Sequence, residues 1–351
     1  MKLIECVPNF SEGRNKSTIR AIVRTLERKP GHRVLNVDMG WDANRTVVTT
    51  VCTPETLVEA AVRSISEAGR LIEMDRHTGA HPRIGSTDVF PLIPLYQTTI
   101  DQCIALSRRL GERIGEELRI PVFLYGDSAT RPSRRLLHGI RAGQYESLVH
   151  NIGKPGWEPD YGPAFLHPRA GAVAIGARSL LIAYNVNLDT KNLSMARKIA
   201  AAIRETGSKS EKREDSTGET GRLKACQAIG WNMPEYGFTQ VSMNLTDYRL
   251  TPPHIAYETC KALAGDHGVA VTGSELIGMI PLQAMLMAGQ YYASQTADDA
   301  TDNAALIRIA VKQMGLSSIR KFLPQKKILE YRIKEKIGLC IENLSRDPDF
   351  Y

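Results

Sequence analysis

The stretch Gly85-Ser86-Thr87-Asp88-Val89-Phe90-Pro91-Leu92-Ile93-Pro94-Leu95 is matched further along the chain by Gly273-Ser274-Glu275-Leu276-Ile277-Gly278-Met279-Ile280-Pro281-Leu282. Both open on Gly-Ser and close on Ile-Pro-Leu, and a related order of elements surrounds each. Ahead of residue 85 stand a strand at Leu3–Val7 and a helix with Ile19, Ile22, Val23 and Leu26 at the spacing of one buried face. Strands around Arg33–Val37 and Thr46–Cys52 follow, then a helix through Ile72. Thr53 is expected to cap that helix, with Pro54 at its first position, where a missing N–H does no harm. A helix from Cys103 to Leu118 and a strand at Ile120–Tyr125 come after residue 95. Around residue 273 the pattern is a strand at 180–188, a helix with Met195, Ile199, Ala202 and Ile203, a strand at Phe238–Leu245, and a helix through Ile255, Thr259 and Leu263. This order predicts a duplicated α/β (α+β) fold, two βαββαβ-type units whose helices cover mixed sheets. The units are expected over residues 1–178 and 179–333, with a tail at 334–351.

Composition bounds the function. The 351 residues are 42% hydrophobic and 24% charged, which suits a soluble globular protein of two domains. No apolar run reaches the roughly 18–20 residues of a membrane helix; the nearest, Gly171–Leu188, contains Arg178. The N-terminal MKLIECVPNF carries a glutamate inside its apolar run, unlike a signal peptide, so a cytoplasmic location is expected. The net charge of +7 is mild for this length and suits an anionic small molecule. Nucleic-acid binding would need basic residues gathered among stacking aromatics, whereas aromatics are 6% and Lys and Arg are scattered. Cys6, Cys52, Cys103, Cys226, Cys260 and Cys340 form no C-x-x-C pair and have no histidine at ligand spacing, so reduced thiols and no metal are expected. Thr206–Arg222 has no apolar residue and reads as a mobile surface loop. Ile319–Tyr351, with helical spacing at Ile328, Tyr331, Ile337 and Leu339, is expected to dock on the second unit.

The duplication acts as an internal control. Setting Gly85 over Gly273 puts His81 over Val269 and Arg83 over Val271, so the second copy keeps the scaffold and loses His81-Pro82-Arg83. His81 lies between Gly79 and Gly85, beside arginines that bind carboxylates bidentately, and imidazole suits proton transfer near neutrality. His77 shares the loop as the weaker candidate. Two polar clusters follow first-half strands: Asn9, Glu12, Arg14 and Asn15, and then Asp38, Asp42, Asn44 and Arg45. Each reads equally as a ligand site at a strand end or as a turn serving its own geometry. Trp157–Gly171, rich in aromatics, Pro and Gly without periodicity, reads as a loop clamping a flat ring or as an inter-domain linker. P-loop, G-x-G-x-x-G, H-E-x-x-H and G-x-S-x-G motifs are absent. The residues alone therefore point to a group-transfer or proton-transfer enzyme with an anionic substrate.

A family resemblance goes further. ECVPNFSEGRN (5–15), VDMGWDANRTVVT (37–49), DRHTGAHPRIGSTDVFPLIP (75–94), PVFLYGDSA (121–129) and IRAGQYE (140–146) are similar to formiminotransferase. So are WEPDYGP (157–163), GARSLLIAYNVNL (176–188) and QAIGW (227–231). The chain thus resembles glutamate formimidoyltransferase, the N-terminal part of the bifunctional formiminotransferase-cyclodeaminase, from residue 2 to about 333. No cyclodeaminase part is expected, since the chain ends soon after ILEYRI (328–333). The 206–222 loop and the tail look longer than the family's. The resemblance implies transfer of the formimidoyl group from N-formimidoyl-L-glutamate to tetrahydrofolate in histidine breakdown. It also implies two ferredoxin-like subdomains, a folate groove between them, and a homodimer. The family's catalytic histidine falls on His81. Its folate-binding stretch falls on Gly162, Pro163, Ala164, Phe165, Leu166, His167, Pro168, Arg169, Ala170 and Gly171.

This chemistry sets expectations for the other polar residues. The donor's formimidoyl group is amidine-like and largely protonated near neutrality, so a carboxylate should face it, with Asp38 or Glu12 the candidates. Asn9 is expected at the substrate, and Arg45 and Arg83 at the glutamate carboxylates. A neutral donor, N-formylglutamate, would instead develop an oxyanion and call for hydrogen-bond donors. A folate-binding protein without catalysis is the alternative from outside enzymes.

Overall fold

The structure is a computed structural model that describes residues 1–28, 30–207, 220–296 and 302–339. Its contacts divide the chain after Ser179, one residue from the boundary expected from the duplication; the described chain from Ile333 on groups with the first unit. Most of the expected loop at 206–222 and tail at 334–351 lies outside the described residues, at 208–219 and 340–351. Among the described residues no helix is long and apolar enough to cross a membrane.

The first unit runs β1 (Leu3–Cys6), β2 (Asn9–Phe10), α1 (Lys16–Leu26), β3 (His32–Gly40), β4 (Arg45–Cys52), α2 (Pro54–Leu71) and β5 (Thr87–Tyr96). It continues with α3 (Ile100–Glu117), β6 (Val122–Gly126), α4 (Leu137–Ile140), α5 (Gln144–Asn151) and β7 (Val173–Ala177). In its sheet β3 pairs with β4, which borders β1 and β2; these in turn border β5, and β7 and β6 follow. The pairs up to β5 are antiparallel, while β7 joins β5 and β6 in parallel and makes the sheet mixed. The side-chain Oδ1 of Asn15 caps α1 by accepting from the amides of Ser17 and Thr18. Thr53 occupies the cap of α2 as expected, but its side chain makes no capping bond there; Pro54 stands at the first helical position.

The second unit contains β8 (Ile182–Leu188), α6 (Leu193–Ile203), β9 (Cys226–Met233), β10 (Phe238–Leu245), α7 (Pro253–Gly265) and β11 (Val271–Ile277). Helices α8 (Leu282–Thr296), α9 (Asn303–Gln313), α10 (Pro324–Lys327) and α11 (Leu329–Ile337) follow. Its strand order, β9-β10-β8-β11, is that of β3-β4-β1-β5, the ferredoxin-like arrangement of a βαββαβ unit, and every pair is antiparallel. Strand β9 had no clear sequence signal, because it is an edge strand with several half-buried positions and Gly230 in its middle. The start of the C-terminal stretch docks on the second unit, where Ile328 bridges Ile280 and buried Glu330 accepts from the Leu282 amide at 2.8 and 3.0 Å; the expectation that the whole stretch does so is corrected from Ile333 on, where the described chain groups with the first unit.

Alternation along the first sheet separates packing from chemistry. Phe10 and Val48 pack with Ile19 and Ile22 of α1, and Cys6, Cys52, Phe90, Leu92 and Leu124 pack with the apolar faces of α2 and α3. Cys6, Cys52, Cys103, Cys226 and Cys260 are free and buried. Asn9, Arg45 and Val47 alternate with that set and face the other side. Val89, Phe123, Tyr125 and Ala174 on that side are covered by Ile140 and Leu148.

The two glycine-rich segments singled out in the first half meet at Gly85 and Gly171, which form a bridge. The Ser86 amide donates to Ala170 O at 2.8 Å and the Ala172 amide to Ile84 O at 3.1 Å. A methyl on Gly85 would overlap the Ala172 carbonyl oxygen, and Gly171 has φ +70°, which glycine adopts at least cost. Gly85→Ala should therefore lower stability by about 1–3 kcal/mol, read as a drop in the urea midpoint at unchanged m-value. An unaltered midpoint would show that the two backbones do not touch.

Candidate functional site

His81 sits half-buried in the loop between α2 and β5. Its Nδ1 is 2.7 Å from the Pro82 carbonyl oxygen and 2.8 Å from Nη1 of Arg45. The Pro82 carbonyl only accepts and calls for a proton on Nδ1, a tautomer that puts the lone pair on Nε2, whereas the Arg45 guanidinium only donates. Burial, then the guanidinium charges of Arg45 and Arg141, hold the imidazole well below its ordinary pKa. It is therefore neutral at pH 7.

Arg45 is itself fixed on three sides. Its Nε and Nη2 donate to Asn9 Oδ1 at 3.0 and 2.7 Å, and its Nη1 donates to Asp88 Oδ2 at 2.6 Å. Asp88 is 1% exposed and also takes Arg141 as an ion partner, while its Oδ1 accepts from the Ile84 amide at 3.0 Å. The backbone explains how an aspartate in a strand reaches Arg45. Asn9 pairs with Val89 but Phe10 pairs with Thr87, so Asp88 is the extra residue of a β-bulge. A bulge breaks the alternation and re-aims one side chain. Desolvation outweighs the carboxylate and brings the Arg45 pKa down to about 9.

The loop carrying His81 is clamped from its far end. Arg83, 6% exposed, makes a two-pronged pair with Glu146 at 2.6 and 2.8 Å, and it also donates to Gln144 Oε1, His77 O and His77 Nδ1. In this structure its guanidinium, expected at a substrate carboxylate, is directed at protein groups of the loop and of α5. His77 accepts at Nδ1 from Arg83 and lies 2.9 Å by Nε2 from Asn44 O, so it is a neutral Nε2–H ring with both nitrogens in structural use. Asn44, at φ +44°, ties the loops together: its Oδ1 accepts from the Gly13 amide and its Nδ2 donates to Thr78 O.

The remaining expected residues divide. Asp38 of β3 pairs with Val47 and so lies on the face that holds Asn9 and Arg45, where its Oδ2 accepts from Asn36 at 2.8 Å. Glu12 closes the turn before α1, with Oε1 accepting from the amides of Arg14 and Asn15. It borders an open recess of about 690 Å³ together with Arg14, Lys16, Arg20 and Asn44. Along Gly162–Gly171, Pro163, Ala170 and Gly171 are buried, Leu166 and His167 are half-buried, and Gly162, Ala164, Phe165, Pro168 and Arg169 are exposed, Phe165 at 59%. His167 Nδ1 accepts from the amides of Arg169 and Ala170, and Arg169 pairs with Glu73 at 2.9 Å, so the turn is held against the end of α2. Sequence reading assigned no role to Asp88 or Arg141. The copy comparison that marked His81 also sets Asp88 over Leu276, a usable signal.

Two family models match in succession: the formiminotransferase domain, N-terminal subdomain, over residues 3–178, and the formiminotransferase domain over 183–334. The chain is 43% identical over 337 residues to a formimidoyltransferase-cyclodeaminase of Dictyostelium discoideum, aligning 96% of this chain with 61% of that protein. It is likewise 43% identical to the protein of that name from Gallus gallus, aligning 95% of this chain with 60% of it. The chain therefore spans about three fifths of the length of these relatives. A glutamate formimidoyltransferase of Streptococcus pyogenes serotype M1 is 41% identical over 83% of this chain and 93% of its own length. With both subdomain models matched in order across nearly the whole described chain, the protein belongs to the formiminotransferase family.

Proposed function

We propose that the protein is a glutamate formimidoyltransferase, moving the formimidoyl group from N-formimidoyl-L-glutamate to N5 of tetrahydrofolate, with His81 as the proton shuttle. Family membership supports the reaction class. The observation that carries the mechanism is His81 Nδ1 at 2.7 Å from the Pro82 carbonyl, a contact that favours the tautomer with its lone pair on Nε2. A cytoplasmic location and a homodimer go with this reading on the ground of the family resemblance alone.

N5 attacks the formimidoyl carbon and becomes a positively charged, strongly acidic nitrogen, so a weak base suffices to take its proton. His81 Nε2 accepts it. Beside Arg45 and Arg141 the resulting imidazolium is a strong acid, which returns the proton to the glutamate nitrogen. The carbon–nitrogen bond to glutamate then breaks and glutamate leaves as an amine rather than an amide anion. A depressed imidazole pKa thus favours the second half of the transfer, and such shuttling is worth ~10²–10⁴ in rate.

Asp38 suits the cationic amidine better than Glu12 does. It shares the sheet face of Asn9 and Arg45, whereas Glu12 already accepts two amides and borders three cations. Arg14, Lys16 and Arg20 are better placed than Arg83 to receive substrate carboxylates, and Asn44 links their recess to the His81 loop. The Gly162–Gly171 stretch offers exposed Phe165 as a flat apolar surface for the folate ring system.

His81→Ala should lower kcat by about 10²–10⁴ with folate affinity nearly unchanged, measured by steady-state kinetics and by titration of folate binding; full turnover in the variant would refute the shuttle. The pH profile gives a second check. His81 must be neutral to begin, and its pKa in the folded protein lies below the ordinary 6.5, so kcat/KM should be level at pH 7 and fall only below pH 6.5. An acid limb centred at or above 6.5 would contradict this. Purified protein supplied with tetrahydrofolate should consume N-formimidoyl-L-glutamate in preference to N-formyl-L-glutamate, and the reverse preference would exclude a carboxylate at the reacting carbon.

A further inference from the structure

Asp88 lies outside the reacting groups, yet it holds the guanidinium that stands against His81 Nδ1 and the backbone that follows the ring. Its Oδ2 holds the same Nη1 of Arg45 that stands 2.8 Å from Nδ1, and its Oδ1 holds the Ile84 amide, three residues beyond His81. Nδ1 has two neighbours with opposite demands. The Pro82 carbonyl requires a proton on Nδ1, whereas the Arg45 guanidinium, a donor only, would be satisfied by a lone pair there. If the guanidinium won, the proton would move to Nε2 and the ring could no longer accept one at that nitrogen.

We infer that Asp88 is a positioning residue for the reaction: by gripping Arg45 it settles this competition for the Pro82 carbonyl and keeps the proton of His81 on Nδ1. The inference rests on the reading of His81 as the proton shuttle. The bulge supports it, because in regular alternation Asp88 would point with Phe90 and Leu92 into the apolar core under α2 and α3. The ion pair of Asp88 with Arg141 supports it as well. A carboxylate with only one cation to hold would not need a second from α4's end, and here one anion restrains two guanidiniums around one imidazole. The titratable and charged groups around the pair are Arg45 from β4, Arg141 after α4 and Tyr125 from β6. Burial pushes the Tyr125 hydroxyl up, so it stays protonated and adds no charge.

The test uses the full chain with ¹⁵N-labelled histidine. Long-range ¹H–¹⁵N spectra report the tautomer and titration of His81, and kcat/KM against pH is measured in parallel. Wild type should show Nδ1–H. Asp88→Asn, which keeps the shape but removes the charge, should shift His81 toward Nε2–H, lower the plateau of kcat/KM by about 10²-fold and move the acid limb to lower pH. Arg141→Gln removes one cation while leaving the Asp88–Arg45 pair, so it should keep Nδ1–H and move the acid limb up toward pH 6.5. A purely structural role for Asp88 predicts a loss of activity with tautomer and limb unmoved, and that result overturns the inference. Should Asp88→Asn not fold, Arg141→Gln decides, since a His81 titration that fails to rise also overturns it. Undiminished turnover in His81→Ala would refute the shuttle itself, a result separable from these because the tautomer is read without substrate.

Discussion

One carboxylate, almost completely removed from solvent, holds two guanidiniums and a backbone amide at the edge of an apolar sheet face. Burying Asp88 this way is costly unless each oxygen is well partnered, and removing the carboxylate would leave two guanidiniums uncompensated in a low-dielectric setting. The surrounding elements answer that requirement. The bulge in β5 turns the side chain over, β4 supplies Arg45, Asn9 in β2 steadies the other prong of that guanidinium, and the residue ending α4 supplies Arg141. The loop carrying His81 is thereby tied at both ends, to Asp88 through Ile84 and to Glu146 through Arg83.

Comparing the two units separates scaffold from chemistry. Gly85 lies against Gly171 in the first, and Gly273 lies against Gly315 in the second, with Gly171 and Gly315 both in the left-handed region. Ser86 and Ser274 each donate their amide across the respective join, to Ala170 and to Gly315. The glycine join is thus a duplicated device for bringing two backbones into contact. Where the first unit has His81, Arg83 and Asp88, the second has Val269, Val271 and Leu276. The same backbone frame carries a polar cluster in one copy and apolar residues in the other.

Arginine roles illustrate what a sequence leaves open. Arg45 and Arg83 both stand beside polar turn residues, and both fit a picture of cations awaiting substrate carboxylates. In the fold each has its donors directed at protein groups: Asn9 and Asp88 for Arg45, Glu146 and Gln144 for Arg83. Glu146 and Gln144 are over sixty residues from Arg83, in a helix with only a modest apolar pattern, so no local spacing could signal the pairing. The cations of the recess, Arg14, Lys16 and Arg20, carry no local signal of a ligand, because charges at the start of a helix ordinarily form just a solvated surface.

The repeated unit, the helices with their buried faces, most of the strands and the polar surplus around His81 were legible in the sequence alone, because periodicity and the difference between copies are local properties of the chain. The sequence also contained Asp88 over Leu276, although a polar residue within a strand run does not announce which way it points. Tertiary structure decided the neighbours of His81 Nδ1, the partners of both arginines and the edge strand β9. Those depend on a one-residue bulge, on carbonyls and guanidiniums brought together from distant segments, and on burial that changes how strongly each charge is felt.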